Sequence, residues 1–157
     1  MARSAPTRLT AEHNGPLVLF LIGMRINRPW RPDHWLQVFA AMPRMLAELS
    51  ADPDSGMLGY RITLGSGGPL VVQYWKSAEE LFAYASKPDA EHRRAWAAFN
   101  RIARKAPNSV GIWHETYVVE RAESIYVGMR PAGLAKATGA RPLGQHSRAA
   151  ERLRPAG

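Results

Sequence analysis

The pattern of apolar and polar positions in the first third of the chain predicts a strand followed by a helix. Residues 16–26 form a mostly apolar run without polar alternation, as expected for a strand that is covered on both faces. Residues 33–52 carry apolar side chains at helical spacing, which predicts an amphipathic helix. Pro43 lies inside this stripe and predicts a kink or a division into two short helices, because proline removes a helical hydrogen bond.

The rest of the apolar pattern predicts a hairpin, two helices and one more strand. Strands are predicted at 57–64 and 70–75, and the glycine-rich segment between them is typical of a hairpin turn. Ser77 and Glu80 have the spacing of a helix-capping box, which predicts that a helix begins there. A second helix and a final core strand follow, at 89–105 and 110–119.

The predicted order β-α-β-β-α-β is that of the α+β ferredoxin-like fold. The antiparallel sheet of this fold carries its helices on one face only, yet the predicted strands are apolar on both faces. A second copy of the chain is the simplest cover for the other face, so we expect a homodimer. We expect the folded domain at 16–130, a disordered N-terminus at 1–15 and a disordered basic tail at 131–157.

Composition excludes several chemistries. The chain has no cysteine, so disulfides, thiolate zinc sites and cysteine nucleophiles are excluded. The net charge is +8, but residues 121–157 carry seven of the 21 basic residues and only two of the 13 acidic ones. A basic tail rich in proline, glycine and alanine is usually solvated, so we expect no specific nucleic-acid partner.

The apolar pattern also argues against a membrane segment. The longest unbroken apolar run is 17–22, whereas a helix needs about 20 apolar residues to span a bilayer. The polar N-terminus does not have the pattern of a signal peptide. We therefore expect a cytoplasmic protein without a membrane span.

The segment Gly111-Ile-Trp-His-Glu-Thr-Tyr117 combines strand-forming residues with candidate chemistry. The strand period of two places His114 and Glu115 on opposite faces. His114 is a candidate base, because an ordinary histidine can take a proton from an acidic phenol or enol near neutral pH. Glu115 is a second catalytic candidate, with the structural alternative that it pairs with an arginine such as Arg25.

His92 is another candidate base on the predicted helix 89–105. Trp96 and Phe99 follow it at i+4 and i+7, so the three side chains share one helix face. The alternative is a structural histidine that bonds a neighbouring carbonyl and packs on Trp96. Further side chains that could contact a substrate are Tyr60, Trp75, Arg25 and Trp35. Trp75 could instead belong to the core.

Five motifs within residues 16–135 together resemble those of a known superfamily. They are Ser55-Gly-Met-Leu-Gly-Tyr60, Gln73-Tyr-Trp-Lys-Ser77, His92 with Trp96, the 111–117 segment, and Ile125-Tyr126 followed by Gly133-Leu134. The chain resembles the dimeric α/β-barrel superfamily of antibiotic-biosynthesis-type monooxygenases. More closely, it is similar to a small monooxygenase-like family that includes a fungal terpenoid-pathway oxygenase.

The resemblance implies a compact dimer with a pocket between the sheet and its helices. In the superfamily this pocket hosts cofactor-free oxygenation, haem chemistry or ligand binding. In haem-handling relatives a histidine on the helix after the third strand ligates iron, and His92 lies in the comparable place. Fold likeness does not by itself decide among these activities.

The sequence favours a small-molecule monooxygenase that uses no bound cofactor or metal. His114 or His92 would remove a proton from an apolar aromatic, polyketide-like or terpenoid substrate, and the resulting anion would react with dioxygen. One alternative is a haem enzyme, an oxygenase or an aldoxime-dehydratase-like protein, with His92 as the axial ligand. Another alternative is a non-enzymatic dimer that binds a ligand.

Overall fold

A four-stranded antiparallel sheet organises the computed structural model, which describes residues 7–65, 67–144 and 148–153. In chain order the elements are β1 (Arg8–Ala11), β2 (Leu17–Ile26), α1 (Pro32–Ala51), β3 (Met57–Gly65), β4 (Gly68–Trp75), α2 (Ala78–Ser86), α3 (Glu91–Lys105), β5 (Val110–Val119), β6 (Tyr126–Val127), α4 (Leu134–Thr138), β7 (Ala140–Pro142) and α5 (Ala149–Arg152). The sheet has the strand order β3-β4-β2-β5, so the predicted ferredoxin-like α+β fold is confirmed. Within one chain this sheet is open, with β3 and β5 at its edges.

The helices α1, α2 and α3 lie on one face of the sheet, which we call the inner face. α1 runs through Pro43 as a single α-helix, so the predicted division into two helices is wrong. Val38, Leu46 and Leu49 are buried on both sides of the proline, and helices in proteins are held mainly by such packing. No helix in the described ranges is long and apolar enough to cross a membrane.

Ser77 caps the start of α2 as predicted, but the reciprocal half of the capping box, a bond from the Ser77 backbone N–H to the Glu80 side chain, is not formed. The backbone N–H of Glu80 donates to Ser77 Oγ at 3.2 Å, which satisfies one of the free N–H groups at the start of the helix. The Glu80 carboxylate in turn accepts a hydrogen bond from the Ser77 hydroxyl at 3.3 Å.

Parts of the chain expected to be disordered form a second, smaller structure. The strands β6, β1 and β7 pair in that order in an antiparallel sheet, and α4 packs beside it. Thr10, Ala135 and Leu143 are buried there, and single buried residues in short separate segments carry little periodic signal. The disorder expected at 1–6, 145–147 and 154–157 lies outside the described residues.

The opposite, outer face of the four-stranded sheet is partly covered by the chain itself. Leu134 and Ala137 of α4 pack against the buried cluster formed by Leu17, Val72 and Tyr74. Gly59 allows this approach, because a Cβ at that position would lie 2.8 Å from the Cβ of Ala137. For this part of the face, α4 supplies the cover that was expected from a second copy.

The part of the outer face formed by β2 and β5 stays open. Trp113 is 40% exposed and Tyr117 is 49% exposed, although both are large aromatic side chains on a regular strand. An apolar surface of this kind is a candidate interface.

Candidate functional site

A cavity of about 510 Å³ lies between the inner face of the sheet and the helices α1, α2 and α3. Its volume falls within the roughly 300–1,000 Å³ that is typical of sites for small molecules. The walls are mostly apolar and include Phe20, Ile22, Met42, Met45, Val71 and Ile112. Such a lining favours an apolar ligand, and the unbranched methionines can adapt their shape to it.

His114 lies in the cavity wall, on the edge strand β5. Pairing with β2 places it opposite Ile22, and His114 shares the inner face with Ile112 and Thr116. The centroid of its imidazole ring lies 5.6 Å from the centroid of the Phe20 ring. Neither ring nitrogen has a hydrogen bond to any residue that the structure describes, so the imidazole can exchange a proton with a ligand.

His92 also lies in the cavity wall, in the first turn of α3. Its ring packs at 5.3 Å from the ring of Tyr84, and its Nδ1 is sealed from open space. Among the described residues nothing accepts or donates a hydrogen bond at this Nδ1. One side of the imidazole is therefore fixed by packing alone.

Glu48, on α1, forms hydrogen bonds to both α2 and α3 next to His92. Glu48 Oε2 accepts hydrogen bonds from the Tyr84 hydroxyl at 2.8 Å and from the Glu91 backbone N–H at 3.0 Å. Burial and the Glu48 carboxylate raise the pKa of Tyr84 well above its usual value. The phenol therefore stays protonated and serves as a structural donor across the whole physiological pH range.

Glu115 and Arg25 lie on the outer face, away from the cavity. Glu115 Oε2 accepts a hydrogen bond from the Tyr117 hydroxyl at 2.7 Å, which raises the pKa of Tyr117. Arg25 Nε donates to Asn27 Oδ1 at 3.1 Å. The suggested pair between Glu115 and Arg25 does not form, because Glu115 stands opposite Leu21 and is four positions from Arg25 along β2.

Two of the three predicted tryptophans line the cavity, and they differ in exposure. Trp75 is fully buried and packs with Val18, Leu49 and Leu81. Trp96 is 53% exposed. One aromatic side chain of the wall therefore belongs to the core and the other is open to solvent.

The other predicted contact residues support the cavity without lining it. Phe99 stacks on Trp96 at 5.4 Å, and Trp35 packs with it around the buried Met24 and Val38. Tyr60 lies on the inner face of β3, directly opposite Gln73, but does not reach the cavity wall.

Gln73 is a cavity residue that sequence reasoning did not select. It is only 5% exposed, lies on the inner face of β4, and accepts a hydrogen bond from Trp75 Nε1 at 2.9 Å. The available signal was its place in the apolar strand 70–75, where it shares a face with Val71 and Trp75.

A serine, a histidine and an aspartate also meet at the start of α1, which the spacing did not reveal. His34 Nδ1 lies 2.6 Å from Ser109 Oγ, and His34 Nε2 lies 3.3 Å from Asp33 Oδ2. The Arg31 side chain donates to Asp33 and lowers the pKa of its carboxyl group to about 2. Ser109 is fully buried and cannot meet a substrate, so this group joins α1 to β5 structurally.

Comparisons with solved structures show the same fold. An aldoxime dehydratase, OxdRE in complex with butyraldoxime, is 15% identical with a TM-score of 0.68, over 85% of this chain and 40% of that chain. This chain therefore spans about two fifths of that dehydratase. SnoaB, a cofactor-independent oxygenase from Streptomyces nogalater, is 13% identical with a TM-score of 0.47, over 69% of this chain and 97% of that chain.

Two comparisons of the sequence itself give different outcomes. None of the curated proteins matches it. The family described as Monooxygenase af470-like matches residues 17–134, which include both cavity histidines and every strand of the four-stranded sheet.

Proposed function

The chain belongs to the monooxygenase af470-like family, and on that basis we propose that it oxidises a small apolar molecule in the cavity without a bound cofactor. The family match confirms the expected resemblance to a monooxygenase-like family, and it supports an oxidoreductase. The observation that carries the rest of the proposal is the imidazole of His114, which no described residue engages, in a mostly apolar cavity of about 510 Å³. The substrate class that suits this lining is aromatic, polyketide-like or terpenoid.

In the proposed reaction His114 removes a proton from an acidic methylene group beside a ketone or phenol. The carbanion gives electrons to dioxygen, a C–O bond forms, and His114 returns the proton to the peroxide anion. Loss of water from the hydroperoxide leaves a new ketone, so one oxygen atom enters the product and the other leaves in water. The substrate itself supplies all the electrons.

The alternative is a haem enzyme with His92 as the axial ligand. Histidines that ligate a metal almost always donate the second ring N–H to an acceptor, which fixes the ring. At His92 the second nitrogen, Nδ1, is buried, and no described residue accepts a hydrogen bond from it. The residues around His92 therefore do not fit this ligand role.

Oxygen uptake and an absorption spectrum test the proposal together. The purified protein should show no Soret band and should consume one dioxygen per molecule of a ring ketone such as anthrone, without releasing peroxide. A Soret band that the His92→Ala variant loses would instead establish the haem enzyme. A protein with neither a Soret band nor oxygen uptake would be the ligand-binding dimer.

We also propose a homodimer that closes over the open part of the outer face. Trp113 and Tyr117 are exposed there beside the half-buried Leu19 and Leu21. Pairing these surfaces in two copies would remove apolar area from water, which contributes about 25 cal/mol per Å².

A charge on this surface should separate the two copies. In sedimentation velocity at micromolar concentration we expect a wild-type dimer and a monomeric Tyr117→Asp variant, because an unpaired buried carboxylate is costly. Leu64→Asp is the matched control, since Leu64 is exposed at the β3–β4 hairpin and should leave the dimer intact. A monomeric wild-type protein would contradict the proposed assembly.

A further inference from the structure

The side-chain amide of Gln73 is one of the few polar groups in the wall of a mostly apolar cavity. Gln73 lies on β4 between Val71 and Trp75 on the inner face, opposite Phe20 of β2 and Tyr60 of β3. A polar group that is removed from water without a partner costs about 1–3 kcal/mol. An apolar side chain of the same size would leave the buried Trp75 indole N–H without its acceptor, so Trp75 explains the amide oxygen but leaves the amide nitrogen to be explained.

The hydrogen bond from Trp75 fixes which way the amide points. The indole N–H can only donate, so the atom 2.9 Å from Trp75 Nε1 must be the amide oxygen of Gln73. The amide nitrogen Nε2, with its two N–H groups, is left on the other side. Trp75 is itself fully buried and held by core packing, so it acts as a positioning residue.

The free nitrogen of Gln73 opens into the cavity. Gln73 Nε2 has no hydrogen bond to any described residue, yet it is not sealed either. In the described part of the chain, His92 Nδ1 is the one buried side-chain polar atom that lacks both a partner and open surface. Since Gln73 lines the cavity, the open surface at Nε2 faces the ligand space.

We infer that Gln73 Nε2 recognises an oxygen acceptor on the substrate, namely the oxygen of a ring ketone or of the matching phenolate or enolate. This inference rests on the proposed function, because it names the substrate group that binds in the same cavity. The amide can only donate at Nε2, so it selects acceptor oxygens and gains nothing from a hydrocarbon. A hydrogen bond of this kind also strengthens when the oxygen gains negative charge.

The position of Gln73 relative to His114 suits this role. Gln73 pairs with Phe20, which pairs with Thr116, and His114 is two residues further along β5. Gln73 and His114 are two strands apart across the sheet and two residues apart along it. This offset separates their Cα atoms by roughly 12 Å. A two- or three-ring skeleton fits between the two side chains, with its oxygen at Gln73 and its acidic C–H near His114.

A matched ligand pair tests the inference by binding alone. 1-Tetralone and tetralin share one carbon skeleton and differ by a carbonyl in place of a methylene group. Their dissociation constants would be measured by calorimetry for the wild-type protein and for Gln73→Met, which keeps the size but removes the donor. For each protein the dissociation constant of tetralin is divided by that of 1-tetralone. Comparing this ratio between the two proteins cancels the different hydration of the ligands.

We expect that ratio to be about three- to ten-fold higher in the wild type than in Gln73→Met, as for one hydrogen bond. Tetralin itself should bind Gln73→Met at least as tightly as the wild type, because it leaves the wild-type amide nitrogen without a partner, and this binding also shows that the variant is folded. Trp75→Phe should reduce the preference for tetralone, because the amide loses the donor that orients it. His114→Ala should keep the preference.

Equal ratios in the wild type and Gln73→Met would overturn the inference, and so would a wild type that binds neither ligand. Binding does not require turnover, so the two proposals fail separately. A Gln73-dependent preference without oxygen uptake would leave the binding role and remove the enzymatic one. Oxygen uptake with equal ratios would do the reverse.

Discussion

Replacing His114 with alanine should lower the rate of oxygen consumption by about 10²- to 10⁴-fold, the usual contribution of a general base. The imidazole lies in the cavity wall, and neither nitrogen is engaged by a described residue. Removing it deletes the proton acceptor without disturbing the buried core, because His114 is exposed to the cavity on an edge strand. The measurement is initial oxygen uptake with anthrone at saturating concentration.

His92→Ala is the matched control, since it removes a second histidine from the same wall. Its Nδ1 is sealed and its ring packs on Tyr84, so we expect a loss of less than about ten-fold, too small for a general base. Both variants should remain dimeric in sedimentation. Wild-type turnover in His114→Ala would remove the assigned base, and a large loss in His92→Ala alone would move that role to His92.

The order of elements was predictable because each core element carries its own local signal. The run 16–26 is almost continuously apolar and residues 33–52 carry an apolar stripe at helical spacing, and in the fold these two segments pack against one another. Pro43 shows the limit of local rules. The proline predicts a break, but buried side chains on both sides of it hold α1 as one helix.

The site was predictable only in part, because a strand period gives opposite faces but not which face is inward. His114 and Glu115 had to point apart, and the pairing of β5 with β2 decides that His114 faces the cavity. Arg25 and Glu115 do share the outer face, yet strand register keeps them four positions apart. Register depends on long-range packing and is not encoded in either segment alone.

The structure formed by β1, β6, β7 and α4 could not be read from local patterns. β1 pairs with β7 across more than 120 residues of chain, and the contact of Gly59 with Ala137 uses two of the smallest side chains. Composition rich in proline, glycine and alanine predicts disorder when it is considered segment by segment. Here the small size of the Gly59 and Ala137 side chains allows α4 to approach the sheet closely.

Replacing Trp75 with alanine should destabilise the protein by about 3–5 kcal/mol, as for other buried tryptophans. The side chain is fully buried and packs with Val18, Leu49 and Leu81 between the sheet and the helices. That loss is a large share of the roughly 5–15 kcal/mol that stabilises a typical domain. Urea unfolding followed by circular dichroism, with the slope of the transition held in common, measures the difference.

Trp96→Ala is the matched control, because it removes the same side chain from another part of the cavity wall. Trp96 is 53% exposed, so we expect that variant to lose about half as much stability as Trp75→Ala, since only about half as much apolar area returns to water. Equal losses in the two variants would mean that Trp75 is not part of the core. A clearly larger loss at Trp75 would show that the residue orienting Gln73 is also a principal support of the fold, so the ligand-recognising amide is held by a core side chain.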